Sequence, residues 1–148
     1  MPLLVLLLSL AFAQDPVPLG LQRYALGGAV GRGVIGAAPI LAVQPTMDLL
    51  GFPPQHNNAS ARVMARLFGV RDIGLGVLVA QSRQDPVALR RAFALNLLTD
   101  LGDAAVLSVP LVLDQGLDRP AGLGLGFALG GATFWSAGLW WLHQREGR

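Results

Sequence analysis

Residues 120 to 142 run for 23 positions without an Asp, Glu, Lys or Arg, and end in Trp140 and Trp141 just before His143 and Arg145. A helix needs about 20 apolar residues to cross the hydrocarbon of a bilayer, and Trp at the end of such a run suits the interfacial aromatic belt. A soluble domain of 148 residues has too little interior to hide this run along with the other Leu-, Val- and Ala-rich stretches, because small domains leave much of their surface exposed. Composition agrees. Hydrophobic residues make up 53% and charged residues 14%, where about 25% charged is usual, and the mean hydropathy is +0.52. The expected fold is all-α, a four-helix transmembrane bundle.

The other three spans are interrupted by charge. Helices are expected at about 24 to 43, 62 to 81, 92 to 113 and 120 to 142, within one membrane domain over 21 to 145. The first contains Arg32, the second Arg66, Arg71 and Asp72, and the third Asp100 and Asp103. Polar and proline punctuation marks the connections: a long loop from Gln44 to Ala61, a basic loop from Ser82 to Arg91, and an Asp-containing turn from Asp114 to Arg119. The first of these is the longest, and its sequence specifies no secondary structure. Gly122, Gly126 and Gly130 recur every fourth residue, which makes one face of the last helix smooth enough for a second helix, or a second copy of the chain, to approach.

The N-terminal residues 1 to 13 form an additional short apolar segment. Ala11-Phe12-Ala13 has the form of a signal-peptidase site, yet no Lys or Arg precedes it. The run is too short to span as a helix at about 1.5 Å per residue. Placing the termini and the Ser82 to Arg91 loop in the cytoplasm puts Arg23, Arg83, Arg90, Arg91, Arg145 and Arg148 on that side, against Arg62 and Arg119 on the other. The positive-inside rule favours that orientation and an uncleaved lead-in. All cationic charge is Arg, since the chain has no Lys, and the Arg residues punctuate apolar runs. Nucleic-acid binders instead cluster cations on one face beside aromatics, so no nucleic-acid partner is expected. With no Cys, there is no thiolate metal site and no disulfide framework.

A charge in the middle of a membrane helix costs about 2.5 to 3.5 kcal/mol on insertion scales, so the buried charges must compensate one another. Folding the second and third helices antiparallel about Pro86 and Val87 sets Arg71 opposite Gly102 and Asp72 opposite Leu101. Asn96, Asp100 and Asp103 fall at i, i+4 and i+7 on one stripe of the third helix. Gly69, Asp72 and Gly76 share a small-residue stripe of the second, where a neighbouring backbone can come close. Arg71 is then the natural partner of an aspartate on the third helix. The candidate polar cluster is Arg71, Asp72, Asp100 and Asp103, with Arg32 and Asn96 around it. Two arginines against three aspartates leave one carboxylate unmatched, to be protonated or to hold a cation.

The stretch Gly69-Val70-Arg71-Asp72-Ile73-Gly74-Leu75-Gly76, followed by Asp100-Leu101-Gly102-Asp103, resembles a family of small four-helix integral membrane proteins of unknown function, itself distantly similar to DoxX-type proteins. The resemblance runs from about Leu21 to Leu142 and rests on a Gly-x-Arg-Asp element with a following Gly and on an Asp-x-x-Asp element. It implies a membrane fold and a shared polar cluster, and it brings no reaction with it.

Three functions fit this pattern. In the first, the cluster performs acid/base chemistry on a lipophilic small molecule or binds one, with Asp100 or Asp103 as proton donor and Arg71 holding an oxygen. In the second, it relays protons or ions in a small transporter, oligomeric through Gly122, Gly126 and Gly130. In the third, it fixes helix packing in a structural or accessory subunit. Asp-x-x-Asp could set two carboxylates on a divalent cation, but two ligands are few for one. His56 and His143 lie in a loop and at a helix end, away from the cluster. The sequence specifies no cofactor.

Overall fold

The computed structural model describes residues 16–146, an all-helical fold with no strand among the described residues. Five helices follow one another: α1 (Leu19–Leu41), α2 (Val43–Leu50), α3 (Ala59–Ser82), α4 (Pro86–Val112) and α5 (Asp118–Glu146). The lead-in over residues 1 to 13 lies outside the described residues.

Local chemistry sets the boundaries. Pro39 removes a backbone donor near the end of α1, and the chain breaks at Ala42 before restarting as α2. Pro45 stands in the first turn of α2, where a missing N–H leaves no intrahelical bond unmade. Gly51 ends α2 in the left-handed region at φ 79°. Its N–H donates to Asp48 O, and that of Phe52 to Met47 O, a closing pattern that glycine favours. Asn58 caps α3 by accepting from the Ala61 N–H at 3.0 Å. Asp85 caps α4 by accepting from Val87 and Ala88, with Pro86 in the first turn.

These caps correct the sequence expectation at several points. The loop from Gln44 to Ala61 holds a helix, α2, because Pro45 starts it and Gly51 stops it. The basic loop shrinks to residues 83–85, because the Asp85 cap starts α4 at Pro86 and draws Arg90 and Arg91 into the helix. The four long helices each extend beyond the expected spans at their N-terminal ends, and in α3, α4 and α5 polar residues serve there as first-turn and cap positions rather than as loop.

The long helices pack in two close pairs, α1 on α3 and α4 on α5, and the pairs meet more sparsely along α3 with α4 and α1 with α5. Glycine sets the closeness of both pairs. On the α1/α3 seam a Cβ at Gly36 would strike the Gly69 carbonyl oxygen, and one at Gly76 would stand 2.8 Å from that of Ala29. On the α4/α5 seam Gly124, Gly131 and Gly138 recur every seventh residue and receive Leu107, Asp100 and Phe93 respectively. The expected packing face of Gly122, Gly126 and Gly130 points away from the other helices, and a Cβ at any of the three would meet nothing.

The buried core gathers Val17, Leu21, Ala25, Ala29, Val79, Leu89, Ala92, Phe93, Trp135 and Leu142. Tyr24 stacks on Phe134 at 4.1 Å between ring centres and donates its hydroxyl to the Phe134 carbonyl at 2.5 Å. Outside this core the long helices present apolar side chains outward: Val34 and Leu98 are each 67% exposed, and Met64 and Phe127 are exposed as well. Helices α1 and α4 are long and apolar enough to cross a membrane. Helix α3 falls short of that composition through Arg62, Arg66, Arg71 and Asp72, and α5 through its glycines and tryptophans.

Candidate functional site

Near the middle of the long helices polar side chains turn inward, one each from α1, α3 and α5 and two from α4, and they gather around the guanidinium that α1 supplies. Arg32 of α1 is buried and spreads its fork over three acceptors on two helices, α3 and α4. Its Nε donates to Asn96 Oδ1 at 3.1 Å, its Nη1 to Asp72 Oδ1 at 3.0 Å and its Nη2 to Asp100 Oδ1 at 2.5 Å. The fixed planar donors of arginine suit this arrangement, where a single ammonium would not. Asn96 is oriented by donating its Nδ2 to the Ala92 carbonyl at 2.9 Å, which turns its oxygen toward Arg32. From α5 the indole N–H of Trp135 donates to Asp100 Oδ2 at 2.9 Å, and the Arg32 guanidinium carbon lies 5.7 Å from the Trp135 ring centre.

Glycines make room for this assembly. A Cβ at Gly76 would stand 3.2 Å from Arg32 Cβ, and one at Gly131 would fall on the Asp100 carboxylate. The stripe Gly69, Asp72, Gly76 does bring a neighbouring backbone close, and the neighbour is α1.

A second ion pair borders the first. Arg71 of α3 grips Asp103 of α4 with both arms, Nη1 to Oδ1 at 2.9 Å and Nη2 to Oδ2 at 2.6 Å. The same Nη2 lies 3.6 Å from Asp72 Oδ1 and so links the two pairs. The Arg71 guanidinium also rests over the Phe68 ring at 4.4 Å. This pair is the open side of the network, with the side chains of Arg71 and Asp103 39% and 19% exposed, while Asp72 is 1% exposed. Both oxygens of Asp100 and both of Asp103 have donors. Oδ2 of Asp72 is buried and has none.

All six residues expected in or around the cluster therefore come together, with one role changed. Arg32 is the hub and not a peripheral member, because α1 packs directly on α3 and aims its midpoint at Asp72. Arg71 pairs with Asp103 as its place on α3 suggests, although the turn centre lies at Gln84 and not at Pro86 and Val87. The sparse packing of α3 on α4 leaves room for the long Arg71 side chain to reach across that offset. Sequence reasoning missed Trp135 and Gly131. The signal was present: an indole N–H in the middle of an apolar span needs a partner there, unlike Trp140 and Trp141 at its end. Among the described residues no three His, Cys, Asp or Glu side chains converge as a metal site.

The model of a protein family described as a domain of unknown function, DUF4267, matches residues 29–142, most of the chain. The chain belongs to the DUF4267 family. The span matched to DUF4267 takes in every member of the network, from Arg32 to Trp135, and leaves out the lead-in and Tyr24. The match gives no support to a kinship between this DUF4267 protein and DoxX-type proteins. No curated protein and no solved structure matches the chain.

Proposed function

We propose that this DUF4267 protein is an integral membrane protein whose helices α1, α3, α4 and α5 all span the bilayer, tied together at mid-depth by the Arg32 network. The observation that carries the reading is the inversion of an ordinary soluble surface. Apolar side chains face outward along the long helices, and the most apolar 18-residue windows of α1 and α4 are each only 28% buried inside the protein. Arg32, Asp72 and Asp100, meanwhile, turn inward and meet, with the Arg71 and Asp103 pair beside them, while Arg66 of α3 stays exposed. Charged residues within membrane helices face the bundle interior and pair with one another, which accounts for both halves of the pattern. The core end that holds Val17, Leu89 and Leu142 carries Arg23, Arg83, Arg90, Arg91 and Arg145, so the positive-inside rule sets this end in the cytoplasm.

Two measurements test this. The full chain should sediment with membranes and require detergent for release, and recovery in the aqueous phase without detergent would sink the proposal. Because the chain has no Cys, single cysteines at Gln84 and Gln115 report sidedness cleanly. An impermeant maleimide added to intact cells should label position 115 and spare 84; the reverse pattern would invert the orientation.

The part-open Arg71 and Asp103 pair favours one reading of what the network does beyond holding the helices. It is the place where a lipophilic small molecule could reach polar groups from the bilayer, with Arg71 on a ligand oxygen and Asp103 as the carboxylate that exchanges protons with it. On this reading, a lipophilic compound should co-purify with the wild-type protein, as seen by native mass spectrometry in detergent, and be lost from Arg71→Gln. Identical bound species in the two would leave the network with its structural role alone. Oligomerisation through the open Gly122, Gly126 and Gly130 face belongs to the same proposal, and helices approach readily along such a track.

A further inference from the structure

The network has a charge imbalance, and the hydrogen bonds say where it falls. Arg32 and Arg71 supply two positive charges, and Asp72, Asp100 and Asp103 supply three negative ones. Asp100 accepts from Arg32 on one oxygen and from Trp135 on the other. Asp103 accepts from Arg71 on both. Each is thus held as an acceptor on both sides, the arrangement that suits an ionised carboxylate. Asp72 accepts on Oδ1 only, from Arg32, with Arg71 nearby, and its Oδ2 is buried without a donor.

We infer that the network is completed by one proton, held on Oδ2 of Asp72. The inference rests on the reading of the chain as a membrane bundle and names the proton site within it. With that proton in place, Arg32 balances Asp100, Arg71 balances Asp103, and Asp72 is a neutral acid that still accepts from Arg32 through Oδ1. The charged groups acting on Asp72 are Arg32 from α1, Arg71 from its own helix, and Asp100 and Asp103 from α4. Helix α5 approaches through Trp135, which bonds Asp100 and carries no charge. A metal cation fits the vacancy in charge less well than a proton. Hard cations take several oxygen ligands, and the other carboxylate oxygens of the cluster are already engaged. A neutral carboxyl beside a guanidinium and one residue from the open Arg71 and Asp103 pair is also a stored proton, available to whatever the site takes up.

Infrared spectroscopy of the full chain in detergent at neutral pH, with isotope-labelled aspartate to assign the signal, reads a protonated carboxyl directly. The wild type should show its C=O stretch, and Asp72→Asn should lack it. Because the amide copies a neutral acid in shape and charge, Asp72→Asn should also accumulate and melt with the wild type. Asp100→Asn puts an amide where Arg32 and Trp135 both donate, and should melt lower. A wild type without the signal overturns the proposal, as does a signal that survives Asp72→Asn. So does an Asp72→Asn protein that fails to accumulate or melts as low as Asp100→Asn. Fractionation separates this from the membrane reading: a membrane-bound chain without the signal refutes only the proton, whereas a chain in the aqueous phase refutes the bundle whatever the spectrum shows.

Discussion

Arg32→Met should cost this protein about 3 to 5 kcal/mol of stability, the scale on which a buried ion pair fails when one partner is removed. Methionine fills most of the space of the arginine stem and carries none of its donors. Asp72, Asp100 and Asn96 would each lose a hydrogen bond, and Asp100 would be a buried carboxylate left without its counter-charge. The penalty of stranding buried acceptors exceeds the net worth of the bonds themselves. Thermal unfolding in detergent, followed by circular dichroism, measures it. The variant should melt well below the wild type or fail to accumulate. Arg32→Lys should fall between the two, because one ammonium keeps the charge but cannot meet three acceptors spread over α3 and α4. An Arg32→Met protein that melts with the wild type would show that the network is not what ties the four helices, and with it would go the structural half of the proposed function.

How much of this was legible in the sequence depends on which helices touch. The inward stripe of Asn96, Asp100 and Asp103 and the stripe of Gly69, Asp72 and Gly76 follow from the helical period alone, and both are realised. The Arg71 and Asp103 pair follows from chain connectivity, since α3 and α4 are joined by a turn too short to let them part. Arg32 was harder to place. Its helix is separated from α3 by α2 and the loop over residues 51–58, and nothing in the local sequence says that α1 packs more closely on α3 than α4 does. The placement is set by the glycine seam of Gly36, Gly69 and Gly76, which spans two helices and has no single-helix signature. The last helix misleads for a related reason. Gly122, Gly126 and Gly130 have the tighter repeat and draw the eye, yet the face that packs carries Gly124, Gly131 and Gly138 at every seventh residue. Trp135, four residues from Gly131, lies on the same side of α5 and brings its N–H to Asp100. The lone caps escaped notice as well: Pro45 and Gly51 bracket α2 within what reads as a long polar loop.

Gly69→Ala should be the most damaging single methyl that can be added to α3, and Gly126→Ala on α5 should be harmless. At Gly69 a Cβ would land on the Gly36 carbonyl oxygen and press within 3.0 Å of Ile40 and Pro39 side-chain carbons. A carbonyl oxygen of a neighbouring helix cannot swing aside as a side-chain tip can, so α1 and α3 must separate. Overpacking of this kind costs about 1 to 3 kcal/mol in ordinary cores. Here it has a second effect, because Asp72 lies one turn along α3 from Gly69 and Arg32 one turn along α1 from Gly36. Parting the seam lengthens the bond from Arg32 to Asp72 and removes the hub from its acceptors. The Gly69→Ala loss should therefore shrink when measured in an Arg32→Met background, a coupling that a double-mutant cycle detects between sites sharing one network. Gly126, by contrast, meets nothing within 4 Å, and alanine is the better helix former by about 1 kcal/mol. The monomer should melt at least as high with Gly126→Ala as without it. Equal losses at the two positions would mean that glycine is needed along α3 and α5 for some reason other than the approach of α1 to α3, and additive losses for Gly69→Ala and Arg32→Met would show that the seam does not position the network.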